Sequence, residues 1–226
     1  MSFIFLYGRP GSGKTTLATS MSKLGYKIKL IDVDNKASDM ANIQPLIKAG
    51  KVVIVPFKSA LTQASLTERI TRVINTPKGF SLAPPAREPQ GYLEFSDIID
   101  NLAKLRSEGK KDPDGCNILV APDSLTTLLE HLKRLLFFLS KRGKFEFDEW
   151  NAWLSNLEEL FHSLQKFCGN MYKHVIITAH EMTEVDSETG RVSGIYPFIE
   201  GSMRYKVGDY FNEIYHCMVN VPKEGK

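Results

Sequence analysis

The segment GRPGSGKT, residues 8–15, constrains the fold of this chain more than any other stretch. Its spacing fits G-x-x-x-x-G-K-[ST], with an apolar run at 3–7 before it and a helix-forming run at 17–23 after it. Such a loop joins a buried strand to a helix. Glycines at 8, 11 and 13 let the backbone turn tightly and present successive N–H groups to phosphate oxygens. The spacing therefore predicts a nucleoside triphosphate site made of Gly8, Arg9, Pro10, Gly11, Ser12, Gly13, Lys14, Thr15 and Thr16. Lys14 is expected to reach the β- and γ-phosphates of ATP, and the Thr15 hydroxyl to hold Mg2+.

Length decides how much can be built around that loop. At 226 residues, with 42% hydrophobic and 24% charged residues, one α/β domain spanning 1–226 is the simplest expectation. A net charge of +3 neither demands nor opposes nucleic acid. Cys116, Cys168 and Cys217 are odd in number and far apart, which predicts reduced thiols and no zinc site or disulfide framework. The opening apolar run is too short for a signal peptide, and the next longest, 135–139, is far below membrane-spanning length. The expectation is a cytoplasmic protein without a membrane segment.

Short β-rich runs at 3–7, 27–33, 52–57, 118–121 and 175–179 alternate with helical patterns, the signature of a mostly parallel sheet flanked by helices. Helical spacing is read at 66–74, 95–106, 125–139 and 147–167. The tryptophans and leucines of the last segment are read as core. The proline-rich stretch 75–91 lacks periodicity and predicts a mobile loop. Beyond residue 179 a turn-rich segment, 186–194, separates runs at 195–199 and 213–221. Those runs predict antiparallel strands closing the C-terminal edge of the sheet, with a hairpin over about 183–200.

A phosphate loop needs a carboxylate at the end of an apolar strand for its metal ion. NILVAPDSL supplies Asp123, with Asp32 of KIKLIDVD as the rival; the Ser124 helix start favours Asp123. Pro122 offers no ladder N–H, which costs little at a strand end. For orienting an attacking water, Asp34 is the candidate. His180, just beyond the buried run VIITA, is placed to touch a γ-phosphate and report its loss.

Phosphate loop, acid-ended strand, Asp-ended strand and polar-ended strand, in that order, resemble the RecA-like branch of P-loop ATPases. LIDVDNKA is similar to the segment carrying that family's catalytic acid, with Asp34 in place of a glutamate. ITAHE is similar to the strand carrying its sensor glutamine, with His180 in that place. With the closing segment TAHEMTEVDSETGRVSGIYPFIEGSMRYKVGDYFNEIYH, the chain is most similar to the phage nucleotide-binding AAA-domain proteins, a group that includes annealing proteins of phage recombination.

That resemblance implies an ATPase acting on single-stranded DNA and assembling as a homo-oligomer, a ring or a filament. Asp34 is one methylene shorter than glutamate, which predicts slow turnover. The implied DNA loop, 181–194, holds Glu181, Glu184, Asp186 and Glu188 against Arg191 alone, so its charge opposes DNA. Lys141, Arg142 and Lys144, or Lys78 and Arg87, are alternative basic groups. Arg204 and Lys206, taken as an extended run, would share one face, from which either would reach a γ-phosphate bound in a neighbouring subunit, with Arg204 taken as the catalytic candidate. A small-molecule kinase and a non-catalytic nucleotide-dependent assembly module are the rival readings.

Overall fold

The computed structural model describes residues 1–58, 72–76, 79–83, 88–141 and 145–219. Its main sheet has seven strands. β1 (Ser2–Gly8), β2 (Ile28–Asp32), β3 (Val52–Pro56), β6 (Ile118–Asp123), β7 (His174–Val185) and β9 (Glu213–Cys217) run in the order β3-β2-β6-β7-β1-β9. β8 (Val192–Pro197) pairs with the distal half of β7. β4 (Arg72–Thr76) and β5 (Gly79–Ala83) form a separate two-stranded antiparallel pair. All pairings along the six-strand path are parallel, so the chain must return to the same end of the sheet before each strand.

Both faces of the sheet are covered, which is why its strands read as continuous apolar runs. From β1, Phe3 and Phe5 point to one face, where they join Phe95 and Ile99 of α3 (Gly91–Ser107), Leu128 and Leu132 of α4 (Leu125–Ser140) and Trp153, Leu157 and Phe161 of α5 (Phe147–Gln165). Ile4 and Leu6 point to the other, against Ala18 of α1 (Lys14–Ser20) and Leu46 and Ile47 of α2 (Gln44–Lys48). Each fully buried phenylalanine on the first face contributes roughly 1.5–3 kcal/mol relative to exposure. Trp153 lies in this core, as its spacing predicts, whereas Trp150, read as core with it, is exposed. Among the described residues no helix is long and apolar enough to cross a membrane.

The helix read over 95–106 starts earlier, at Gly91, which packs against His131: a Cβ there would meet the His131 ring at 2.3 Å. α4 starts on Ser124, whose hydroxyl accepts from the Thr127 amide. α5 starts on a reciprocal pair in which the Glu146 amide donates to Glu149 Oε2 at 2.9 Å. The chain also differs from expectation in several places. Residues 72–74, read as helix, are β-strand; 66–71 lie outside the described residues. The stretch 75–91, read as a structureless loop, holds β5 and the first residue of α3. Antiparallel pairing of β4 with β5, which sets Thr76 opposite Gly79, outweighs the helical spacing.

β7 does not stop at residue 179 but continues to Val185, and β8 pairs antiparallel with that extension. β9, by contrast, lies parallel to β1, not antiparallel as expected, because residues 198–212 carry the chain back to the amino end of the sheet. Phe211 anchors this return, stacking on Phe3 and Phe5 at 4.4 and 4.8 Å. Residues 203–206, expected extended, form the short helix α6 (Met203–Lys206). On a helix, side chains two apart point to nearly opposite sides, so Arg204 and Lys206 do not share a face.

Candidate functional site

The carboxyl ends of β1, β2, β6 and β7 lie side by side, and the predicted residues of those strands meet there. Gly8 pairs with His180 of β7 and Cys217 of β9, and a Cβ on Gly8 would stand 2.3 Å from the Cys217 carbonyl oxygen. Only glycine fits between them. Gly11 and Gly13 have φ of 78° and 86°, in the left-handed region that glycine enters without cost. Gly13 is the residue on which α1 starts.

Lys14 is buried, and its Nζ donates to the carbonyls of Gly8 and Arg9 at 2.9 Å each. Burial pulls its pKa down, opposed by the charges of Asp123, Cys217, Asp34 and Glu181. Thr15 Oγ1 donates to Asp123 Oδ2 at 2.8 Å, and Thr178 Oγ1 donates to the other carboxylate oxygen. Asp123 is itself buried, and that burial raises its pKa against the two hydroxyls and Lys14. Thr16 is exposed at the loop's outer side and accepts from Asn42 Nδ2 at 2.9 Å.

The two acids of β2 part company. Asp32 is buried and accepts the Ala37 amide at 2.6 Å, so it is committed to the turn after the strand. Burial pushes its pKa up to about 6, aided by the charges of Asp123 and Asp34 and opposed by backbone N–H groups. Asp34 is half-buried beside the end of β6: its amide donates to the Asp123 carbonyl at 3.3 Å, and its carboxylate accepts from Ser124 Oγ at 3.2 Å. Pro122 falls where β6 has already left β7, after Val120, and where the β2 register skips to Asp123, so its missing N–H forfeits no ladder bond.

His180 is half-buried, its amide donating to Thr126 Oγ1 at 2.9 Å and its carbonyl accepting from Phe198 N at 2.7 Å. Burial, then the nearby Lys14 charge, lower its pKa and favour the neutral ring. Among the described residues, two of the buried polar atoms without a partner are His180 Nδ1 and Ser12 Oγ, both at this phosphate loop. Buried polar atoms are normally paired, so these two are what a ligand at the loop would satisfy.

The residues fit a magnesium nucleotide. A threonine hydroxyl and one buried carboxylate are the protein's share of a Mg2+ shell whose other ligands are phosphate oxygens and water. No group of three or more His, Cys, Asp or Glu side chains that could hold a metal by itself occurs among the described residues.

Arg204 lies elsewhere, against the hairpin formed by β7 and β8. Its guanidinium approaches Met182 Sδ at 3.6 Å and Glu184 Oε1 at 3.5 Å and stacks over Tyr205. Of the alternative basic groups, Lys141 is exposed at the end of α4, whereas Lys78, Arg87, Arg142 and Lys144 lie outside the described residues. Of the acids of 181–194, Asp186 accepts the amides of Glu188 and Thr189, and Glu184 faces Arg204.

Thr178, Ser124 and Glu181 escaped the sequence reading as site residues. Thr178 carried a signal, a fully buried hydroxyl residue inside the apolar run VIITA. Glu181 carried none, since its partners Arg9 and His216 are 172 and 35 residues away.

The chain matches the family model described as AAA domain over residues 3–225. No curated protein matches it.

Proposed function

The chain belongs to the AAA-domain family, and from that membership we propose that it is a RecA-like ATPase whose loop 8–16 takes ATP with Mg2+. The observation that carries this reading is the Asp123 carboxylate held between Thr15 and Thr178 at the mouth of the phosphate loop. Thr15 and Asp123 would hold the metal ion, which would supply neutralisation of phosphate charge. Lys14 turns from the carbonyls of Gly8 and Arg9 towards phosphate oxygens, exchanging two neutral acceptors for charged ones.

Asp34 orients the attacking water. Its position beside Asp123 and Ser124 supports the assignment, and its short side chain is consistent with slow turnover. His180, neutral and with Nδ1 unpartnered, senses the γ-phosphate. The protein works in the cytoplasm as a homo-oligomer on single-stranded DNA, and Arg204 of one copy completes the site of the next. This part of the proposal rests on the resemblance of residues 178–216 to phage recombination ATPases. The excess of acids in 181–194 directs DNA away from that segment towards basic groups such as Lys141.

The test is ATP turnover with Mg2+, measured with and without single-stranded DNA and with a panel of nucleosides as acceptors. DNA-stimulated hydrolysis is the expected result. A phosphorylated nucleoside would instead assign a kinase, and binding without turnover would assign an assembly module.

A further inference from the structure

His180 and Glu181 are consecutive on β7 and therefore point to opposite faces of the sheet. Gly8, His180 and Cys217 are in register, and Cys217 packs on the face of α1. Tyr7, Ala179 and His216 are likewise in register, and Tyr7 packs on the face of α3 to α5. Glu181, two residues beyond Ala179, belongs to this second row. Its side chain is only 7% exposed although it carries a carboxylate.

That carboxylate is shared. Oε1 accepts from Arg9 Nε at 2.9 Å, and Oε2 meets His216 Nε2 at 2.6 Å. His216 in turn stacks on Tyr7 at 4.7 Å between ring centroids. The Glu181–His216 pair thus bridges β7 and β9 across β1, a span of two strand spacings or about 10 Å, and Glu181 grips the phosphate loop through Arg9. The hydrogen bonds and charges of His216 and Arg9 outweigh its burial and hold its pKa below the usual range. Tyr7 is the other titratable group facing it, its pKa raised by burial and by the Glu181 charge.

Arg9 is the pivot of the arrangement. Its guanidinium is held by Glu181 while its carbonyl is held by Lys14 Nζ, the group that must turn towards phosphate. A change in the carbonyl contact therefore alters the setting of the residue that Glu181 holds, and Glu181 is the first residue of β7 to pair with β8. We propose that Glu181 is a positioning residue that links occupancy of the phosphate loop, through Arg9, to the order of the β7–β8 hairpin. The link rests on the reading of loop 8–16 as the nucleotide site. It requires no contact between Glu181 and the nucleotide, since Glu181 lies on the face opposite His180.

The experiment measures amide hydrogen exchange of residues 182–196 with and without a non-hydrolysable ATP analogue and Mg2+, alongside binding of a fluorescent analogue. In the wild-type protein the analogue slows exchange of the hairpin about fivefold or more, the lower end of ordinary coupling between sites. Glu181→Gln abolishes that difference, Arg9→Ala does the same, and the double variant behaves like either single one, because all three remove the Glu181–Arg9 ion pair through which the link runs. A nucleotide-dependent change that persists in Glu181→Gln, single-variant effects that multiply in the double variant, or a wild-type hairpin indifferent to bound analogue would each overturn the inference. Should Glu181→Gln not fold, Arg9→Ala decides alone, because the Arg9 side chain is 76% exposed and packs in no core. Lys14→Ala separates the two levels. Analogue binding unaffected by Lys14→Ala would mean that the nucleotide site is misplaced and would overturn the link with it, whereas binding lost there but a hairpin response intact in Glu181→Gln overturns the link only.

Discussion

Thr15 and Asp123 are 108 residues apart in the chain, yet the Thr15 hydroxyl donates to the Asp123 carboxylate at 2.8 Å. The contact joins the first turn of α1 to the end of β6 and places the two protein ligands expected of a magnesium nucleotide side by side.

Asp123→Asn is expected to lower ATP turnover about 100-fold or more, the scale on which loss of one preorganised charge-stabilising group acts. Thr178→Val, which leaves one Asp123 oxygen buried without its donor, is expected to weaken apparent Mg2+ affinity about 10-fold while ATP still binds. Titrating turnover with Mg2+ in both variants distinguishes them. Equal Mg2+ dependence in wild type and Thr178→Val would remove Thr178 from the metal's supporting shell.

Asp34→Asn is expected to keep nucleotide affinity and lose turnover, by about 100-fold or more for a group that handles a proton of the attacking water. Single-turnover hydrolysis with saturating ATP is the measurement. Retained hydrolysis would move the role to another acid, and Asp32, already tied to the Ala37 amide, is then the next to replace.

Arg204→Ala subunits and Lys14→Ala subunits are each expected to be inactive and to recover turnover when mixed, because the first kind keeps an intact phosphate loop and the second an intact Arg204. Two inactive variants that co-assemble and stay inactive would show that Arg204 serves only the hairpin, through Glu184 and Met182.

At the opposite end of the sheet, Lys29 Nζ is buried between Asp112 Oδ2 at 2.7 Å and Asp114 Oδ2 at 2.8 Å, and Tyr172 OH donates to Asp112 at 2.5 Å. Asp112→Ala leaves a buried ammonium with only the half-exposed Asp114 and is expected to cost about 3–5 kcal/mol. Burial alone would raise the Asp112 pKa, but the Lys29 and Tyr172 hydrogen bonds outweigh it and lower the pKa from 3.8. The folded carboxylate therefore binds its proton less tightly than the unfolded one. Its contribution is complete above about pH 4 and drains away as pH falls below that towards the folded value. Denaturant midpoints between pH 7 and 3 check this: below pH 4 the wild type loses stability that Asp112→Asn, lacking the titrating group, does not lose.

The phosphate loop and the buried strands were legible in the sequence because each is a local pattern. Three glycines at fixed spacing permit one kind of turn, and runs such as FIFLY and ILVA read as continuous apolar strands because helices cover both faces. Asp123 and His180 were legible for the same reason, each closing such a run. The direction of β9, the strands β4 and β5 and the helical turn at 203–206 were not. The partner of β9 is β1, distant in the chain, and a run of five residues has the same periodicity whether it pairs parallel or antiparallel, while β4 and β5, neighbours in the chain, are runs too short for periodicity to separate strand from helix. The partners of charged side chains belong to this second class. By sequence Glu181 is one acid among several in an acidic segment, whereas in the folded chain its carboxylate is buried, and burial obliges it to find polar partners. Only the packing of β7, β1 and β9 side by side brings Arg9 and His216 within its reach.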